Sequence, residues 1–187
     1  DATKYDDKNR LKIKKIYEML PSNLENKVKR IQYSKIENKK GDRADNYSGE
    51  FEYLLNSGIA IDCKAISEPK FPLIQSSSKS MIKLYMNDVG LLAYLLYRNN
   101  VNAILQQRTG VNLGAVYETV VAQELYAHGY KNYYYDRKKI GEVDFLVDDF
   151  DKLNVLPIEV KSGKESFSFK AMTKLLAVEG YRIDQGI

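Results

Sequence analysis

The feature that most restricts how this chain can fold is a change of hydrophobic period in its second half. Over residues 113–128, Val116, Tyr117, Val120, Val121 and Leu125 recur at helical spacing, and Gly129 closes the pattern. Three short strand-like runs follow, at 132–135, 142–147 and 154–161, and a helix is expected over 168–179. The order is αβββα, which calls for a mixed sheet flanked by helices and so for the α/β class. With 187 residues, 44% of them hydrophobic, the chain can bury a core without disulfide or metal staples.

The first half reads differently. Leu11, Ile13, Ile16, Tyr17, Met19 and Leu20 mark a first helix, which Pro21 is expected to end. Val28 and Ile31 mark a short second helix over 23–33, and Gly41-Asp42 breaks the chain. Phe51, Leu54 and Leu55 mark a third helix ending at Asn56-Ser57-Gly58, where glycine suits a left-handed cap. Residues 59–66 alternate as a half-buried strand, and 67–73 form a proline-bearing turn. Three helices and a β-ribbon in this order suggest a winged helix-turn-helix. The serine-rich stretch 75–80 reads as a connection. It divides the chain into a winged-helix-like domain (1–75) and a second domain (76–187), which opens on a strand at 81–85, an N-cap at Asn87-Asp88 and an apolar helix at 89–97.

One cysteine, Cys63, and one histidine, His128, exclude a disulfide framework and Cys- or His-rich zinc sites, so any metal here is held by oxygen. The longest apolar run, 89–97, is far short of the ~20 residues that span a bilayer, and no signal peptide opens the chain. These features read as a cytoplasmic protein with no membrane partner. A first residue Asp1 reads as a piece of a larger polypeptide. Net charge is only +4, but residues 8–40 carry eleven Lys/Arg against three acids, a local +8, while residues 41–75 carry three against six, a local −3. Lys12, Lys14, Lys15, Lys27, Lys29 and Arg30 are the candidates for phosphate contacts from the basic stretch. Asp42, Asp45, Glu50 and Glu52 stand against Arg43 alone where a DNA-reading helix would need positive charge, so contacts from the basic side would not read bases.

The residues that carry chemistry lie on the last two strands. In Gly141-Glu142-Val143-Asp144-Phe145-Leu146-Val147, alternation puts Val143, Phe145 and Val147 on one face and Glu142 and Asp144 on the other. In Ile158-Glu159-Val160-Lys161, Glu159 and Lys161 share the opposite face from Ile158 and Val160. They stand about 6.6 Å apart along an ideal strand, side by side without closing into a pair. Phosphodiester hydrolysis needs carboxylates to hold Mg²⁺ or Mn²⁺, a water as nucleophile, and a cation to stabilise developing charge. Asp144 and Glu159 are the candidate ligands and Lys161 the candidate cation.

Asp144 followed by Glu159-Val160-Lys161 resembles the PD-(D/E)xK, restriction-endonuclease-like nuclease superfamily. Lys83-Leu84-Tyr85-Met86-Asn87-Asp88-Val89-Gly90-Leu91-Leu92, Gly114-Ala115-Val116-Tyr117-Glu118, Val121-Ala122-Gln123-Glu124-Leu125 and the two strand motifs are similar to the C-terminal region of unknown function of prokaryotic AAA-type ATPases. Tyr33-Ser34-Lys35-Ile36 and the 53–59 segment are similar to its winged-helix part. The resemblance implies a nuclease-like αβββα core and an ATPase domain of the same polypeptide before Asp1, where any ATP would bind. It also implies an acid on the first core helix, matched by Glu118. On a helical wheel Glu124 falls near the middle of the apolar arc and Glu118 on its flank, so Glu118 is the preferred site member and Glu124 the alternative.

Two other functions fit the same residues: a non-catalytic docking or substrate-recognition module for the ATPase, and DNA binding by the winged helix. His128 reads as a cation at a helix C-terminus, Cys63 as a core residue, and Tyr133-Tyr134-Tyr135 as a buried strand rather than a base-stacking platform. Ser162-Gly163-Lys164 is no phosphate loop, because Ile158 stands where its first glycine belongs and Glu165 follows the lysine. No ATPase activity is expected of this chain.

Overall fold

Ile13, Ile16, Leu20 and Leu24 recur every three or four positions, and in the computed structural model they form the buried face of one helix, α1 (Asp7–Glu25). The structure describes residues 7–98, 102, 106, 113–161 and 169–187. Pro21 lies inside α1 instead of ending it. An internal proline costs about 3 kcal/mol, but burying a leucine returns about 1.5–3 kcal/mol. Leu20 and Leu24, on either side of Pro21, are both fully buried. Core burial therefore carries the helix through the proline.

The second helix expected over 23–33 is absent. α1 runs to Glu25, Val28 stays 45% exposed, and Ile31 donates its N–H to the Ile82 carbonyl at 2.8 Å. That bond ties the segment to the sheet in place of a helical ladder. Two 3-10 turns, Tyr33–Lys35 and Ala44–Tyr47, lead into α2 (Ser48–Asn56). α2 ends as expected. Gly58 is left-handed (φ +69°) and donates to Leu55 at 3.0 Å, and Ile59 donates to Leu54 at 3.1 Å.

Five strands follow: β1 (Ala60–Ile66), β2 (Ser77–Met86), β3 (Asn132–Arg137), β4 (Gly141–Asp149) and β5 (Asn154–Ile158). They make one mixed sheet in the order β2-β1-β3-β4-β5, with β1 and β3 parallel and the other neighbours antiparallel. The parallel pair needs a crossover, and α3 (Val89–Tyr97) and α4 (Gly114–Ala127) lie within it. Asp88 caps α3 as expected, accepting from the Leu91 N–H at 2.8 Å.

The sheet crosses the position at which the chain was divided. β1 and β2 come from either side of residue 75 and pair with each other, so residues 77–80 are the start of a strand and not a linker. Their hydroxyls compete for backbone partners at this sheet edge: Ser77 Oγ donates to Ile74 O at 2.9 Å, and Ser78 Oγ accepts from the Met81 N–H at 3.0 Å. Among the described residues two α-helices, not three, precede the ribbon, and the ribbon is built into the sheet.

Each face of the sheet is covered. On one face Cys63, Tyr134 and Phe145 pack with residues of α1 to α4. On the other, Tyr133, Tyr135, Val143 and Leu146 pack with Met172 and Leu175 of α5 (Lys170–Leu176). The tyrosine run is thus a strand buried on both sides. The C-terminal residue makes one bridge on the free edge of β5. There Ile187 donates to Pro157 at 3.0 Å and accepts from Glu159 at 2.8 Å. The 162–165 stretch and the expected helix start at 168 lie outside the described residues. No helix among the described residues is long and apolar enough to cross a membrane.

Candidate functional site

The position of Asp144 follows from a defect in strand pairing. Tyr133 stands opposite Leu146 and Tyr135 opposite Val143, which leaves two β4 residues, Asp144 and Phe145, across from Tyr134 alone. This β-bulge breaks the alternation. Val143 and Phe145, expected on one face, pack into the cores on opposite faces. Past the bulge, the Asp144 carboxylate accepts the Val160 N–H at 2.8 Å. Burial, then the Glu118 carboxylate, lifts the Asp144 carboxyl to about 6. The Val160 N–H and the Lys83 ammonium act in the opposite direction, and Glu159 adds to the rise.

Glu118 sits on the inner face of α4, 5% exposed. Its carboxylate pairs with the Lys29 ammonium through one oxygen and accepts the Tyr85 hydroxyl at 3.2 Å through the other. The alternative, Glu124, has a side chain 68% exposed. The wheel put Glu124 on the buried side because it weighted Tyr117 and Val120. Instead α4 buries Ala115, Glu118, Thr119 and Ala122, spaced three and four apart, and leaves Tyr117 and Val120 38% exposed. Small residues let the helix approach the sheet closely; the large apolar ones do not mark its inner face.

Glu159 and Lys161 lie just beyond the end of β5. They close into a pair, Nζ to Oε1 at 2.5 Å, where an ideal strand would have held them apart. The Glu159 side chain is 6% exposed, and its other oxygen is buried with no hydrogen-bond partner.

Three participants were not singled out from sequence. Lys83 on β2 is 1% exposed, pairs with Glu142 of β4, and lies 4.4 Å from the centroid of the Tyr134 ring. Burial would lower its pKa, but the negative field of Glu142, with that of Glu118, more than reverses this, and the ammonium is held charged. Tyr85 links Glu118 to the core and packs on Phe145, ring centroids 5.4 Å apart. A signal for Lys83 existed: a lysine inside the apolar run 81–86 can be fully buried only with a partner.

The charges therefore form a pattern. Glu118, Glu142 and Glu159 each have a lysine, respectively Lys29, Lys83 and Lys161. Asp144 accepts a backbone N–H, and among the described residues no lysine pairs with it directly. An unpartnered buried oxygen on Glu159 and mutual repulsion at Asp144 are what a small hard cation relieves, so the donor set fits Mg²⁺ or Mn²⁺. Among the described residues no group of three or more acid, histidine or cysteine side chains forms a ready-made cage. Mg²⁺ does not require one, since it commonly keeps several waters and takes one or two carboxylates.

The basic stretch is divided. Lys29 belongs to the acid site. Lys12 lies between Glu37 (3.5 Å) and Glu50 (3.9 Å) and over the Tyr47 ring at 5.2 Å. Lys14, Lys15, Lys27 and Arg30 are exposed, Lys14 with an exposed Glu18 at 3.7 Å. Elsewhere, His128 caps the end of α4, its Nδ1 2.8 Å from the Glu124 carbonyl. Cys63 is fully buried, and burial pushes its thiol far up.

No curated protein and no solved structure matches the chain. Residues 113–187, which hold Glu118, Asp144, Glu159 and Lys161, match a family described as "Domain of unknown function (DUF4143)", known from contexts associated with AAA-type ATPases. Residues 1–102, which hold Lys29 and Lys83, match "Domain of unknown function (DUF8612)". That second match takes in more than half of the 187 residues, and the chain accordingly belongs to the DUF8612 family.

Proposed function

We propose that this chain is the C-terminal module of a AAA-type ATP-binding protein, with a winged-helix-like first part and a restriction-endonuclease-like core that cleaves DNA or RNA phosphodiesters with one Mg²⁺ or Mn²⁺. The observation that carries the reading is Asp144, a carboxylate beside a bulge, in the field of Glu118 and Glu159, and with no ion-paired lysine among the described residues. The β3-β4-β5 meander between α4 and α5 supports the nuclease-like core. The match of residues 113–187 supports the ATPase context.

Asp144 and Glu159 would hold the metal, Asp144 oriented by the Val160 N–H and Glu159 offering its unpartnered oxygen. Bound there, a divalent ion supplies Lewis-acid stabilisation to a phosphate and lowers the pKa of water. Lys161 is the most exposed of the three paired lysines, its side chain 32% exposed, and can turn from Glu159 toward a phosphate to stabilise charge in the transition state. Glu118 is the supporting carboxylate, paired with Lys29 and oriented by the Tyr85 hydroxyl. Exposed Lys14, Lys15, Lys27 and Arg30 are available for the nucleic-acid backbone. Incubating the protein with Mn²⁺ and single- or double-stranded DNA or RNA tests this reading. Cleavage lost in Lys161→Ala supports it, and intact substrate with Mn²⁺ demonstrably bound rejects the cleavage step.

A second reading has its own observation. Each of the three glutamates is already neutralised by a lysine within the fold, as in a non-catalytic module that docks on its ATPase domain or a substrate. Under that reading Asp144→Ala and Glu159→Ala leave docking unchanged. Winged-helix DNA binding is a third proposal. It requires salt-dependent affinity lost on neutralising Lys14 and Lys15.

A further inference from the structure

Lys83 is the most deeply buried charge in the molecule's acid site. Its side chain is 1% exposed, it ion-pairs with Glu142, it lies over the Tyr134 ring, and it is within electrostatic reach of Glu118 and Asp144. It reaches the site from β2, the sheet edge opposite β5, through two intervening strands' side chains. A lysine placed there for packing alone would be a costly choice, because removing an ammonium from water without compensation costs several kcal/mol. The compensation is the field of the carboxylates themselves.

The site contains four carboxylates, Glu118, Glu142, Asp144 and Glu159, and three ammoniums, Lys29, Lys83 and Lys161. It therefore carries one net negative charge. Without Lys83 it would carry two. We propose that Lys83 is a built-in counter-ion that sets the cation affinity of the acid site. This rests on the reading of Asp144 and Glu159 as cation ligands. Lys83 does not touch the metal or the substrate; it is a positioning residue acting through Glu142 and through the field at Asp144. With it in place a divalent ion meets one net negative charge at the site, and without it two.

The test uses Mn²⁺ alone as probe, with affinity read by calorimetry or by the loss of the free-ion paramagnetic signal, on four proteins. Lys83→Met should bind Mn²⁺ about tenfold or more tightly than the parent chain, because a nearby positive charge has been removed. Glu142→Gln, which leaves Lys83 without its partner, should bind about tenfold or more weakly. Lys83→Met/Glu142→Gln restores the net charge and should return to the parent affinity. A purely structural role moves both single variants in the same direction, and opposite shifts are the signature of the counter-ion. Single variants that shift together or not at all, or a double variant that does not revert, overturn the proposal. If Lys83→Met does not fold, Glu142→Gln and the double variant carry the same test. Asp144→Asn in the otherwise unchanged chain separates the underlying reading: Mn²⁺ affinity indifferent to that change rejects the ligand assignment, whatever Lys83 does.

Discussion

Asp144→Asn should make the protein more stable while removing its capacity to hold a divalent ion. The Asp144 carboxyl is lifted from 3.8 to about 6 in the folded protein, first by burial and then by Glu118. A carboxyl whose folded pKa is raised favours the fold in its protonated form. Its contribution is complete below pH 3.8 and is lost as pH rises through about 6, so at pH 8 the ionised group is a standing cost. Two pKa units correspond to about 3 kcal/mol, an upper figure because water still reaches part of this side chain. Asparagine is nearly isosteric, and its Oδ1 can keep the 2.8 Å bond from the Val160 N–H. At about 2–4 °C per kcal/mol for a chain of this size, the variant should melt roughly 5–10 °C higher at pH 8. The difference should vanish near pH 4. Thermal melts monitored by circular dichroism from pH 4 to 8, without metal, measure this directly. An Asp144→Asn protein that melts lower than the parent at pH 8, or by the same margin at every pH, refutes the electrostatic account of the site.

Three further outcomes follow from the same coordinates. Lys29→Met leaves the buried Glu118 carboxylate without its ion-pair partner, and chemical denaturation should show a loss of about 3 kcal/mol. Reversal by Glu118→Gln in the double variant would identify the uncompensated carboxylate as the cause. Cys63, fully buried with its thiol pushed far up, should not react with a disulfide reagent until the protein is unfolded; rapid labelling of the native state would contradict the packing of β1. Gly58→Ala places a side chain at φ +69°, in ordinary contact with Asn87 Nδ2 at 3.9 Å, and should cost about 1 kcal/mol in the same denaturation assay, and a neutral change would show that the α2 cap is not left-handed in solution.

What could be read from sequence divides along a physical line. Elements fixed by local chemistry were legible: the glycine cap of α2, the aspartate cap of α3, the extent of α4, and the three strands β3 to β5, the last of which ends at Ile158, short of Glu159. Elements decided by long-range partners were not. Pro21 is overridden by the burial of Leu20 and Leu24, residues 26–32 take their hydrogen bond from β2, and the serine-rich start of β2 is ordered by pairing with Ile66. The site shows the same division. Asp144, Glu159 and Lys161 could be nominated because they lie at recognisable spacings, and Glu118 because a family resemblance points to that helix. Lys83 and Glu142 were not, because the bond between them joins residues 59 positions apart, and the helical wheel misplaced Glu124 because α4 packs through its small residues. The bulge at Asp144-Phe145 leaves no mark in an alternating sequence, since either residue alone fits a buried strand.

The most direct measurement is the Mn²⁺ stoichiometry of the folded chain and of Asp144→Asn, both at pH 8 where Asp144 is ionised. One Mn²⁺ per parent chain, with binding lost in Asp144→Asn while that variant melts higher, is the expected result. No bound Mn²⁺ in the parent, or equal binding in both proteins, would contradict the assignment of Asp144 and Glu159 as the residues that hold a metal.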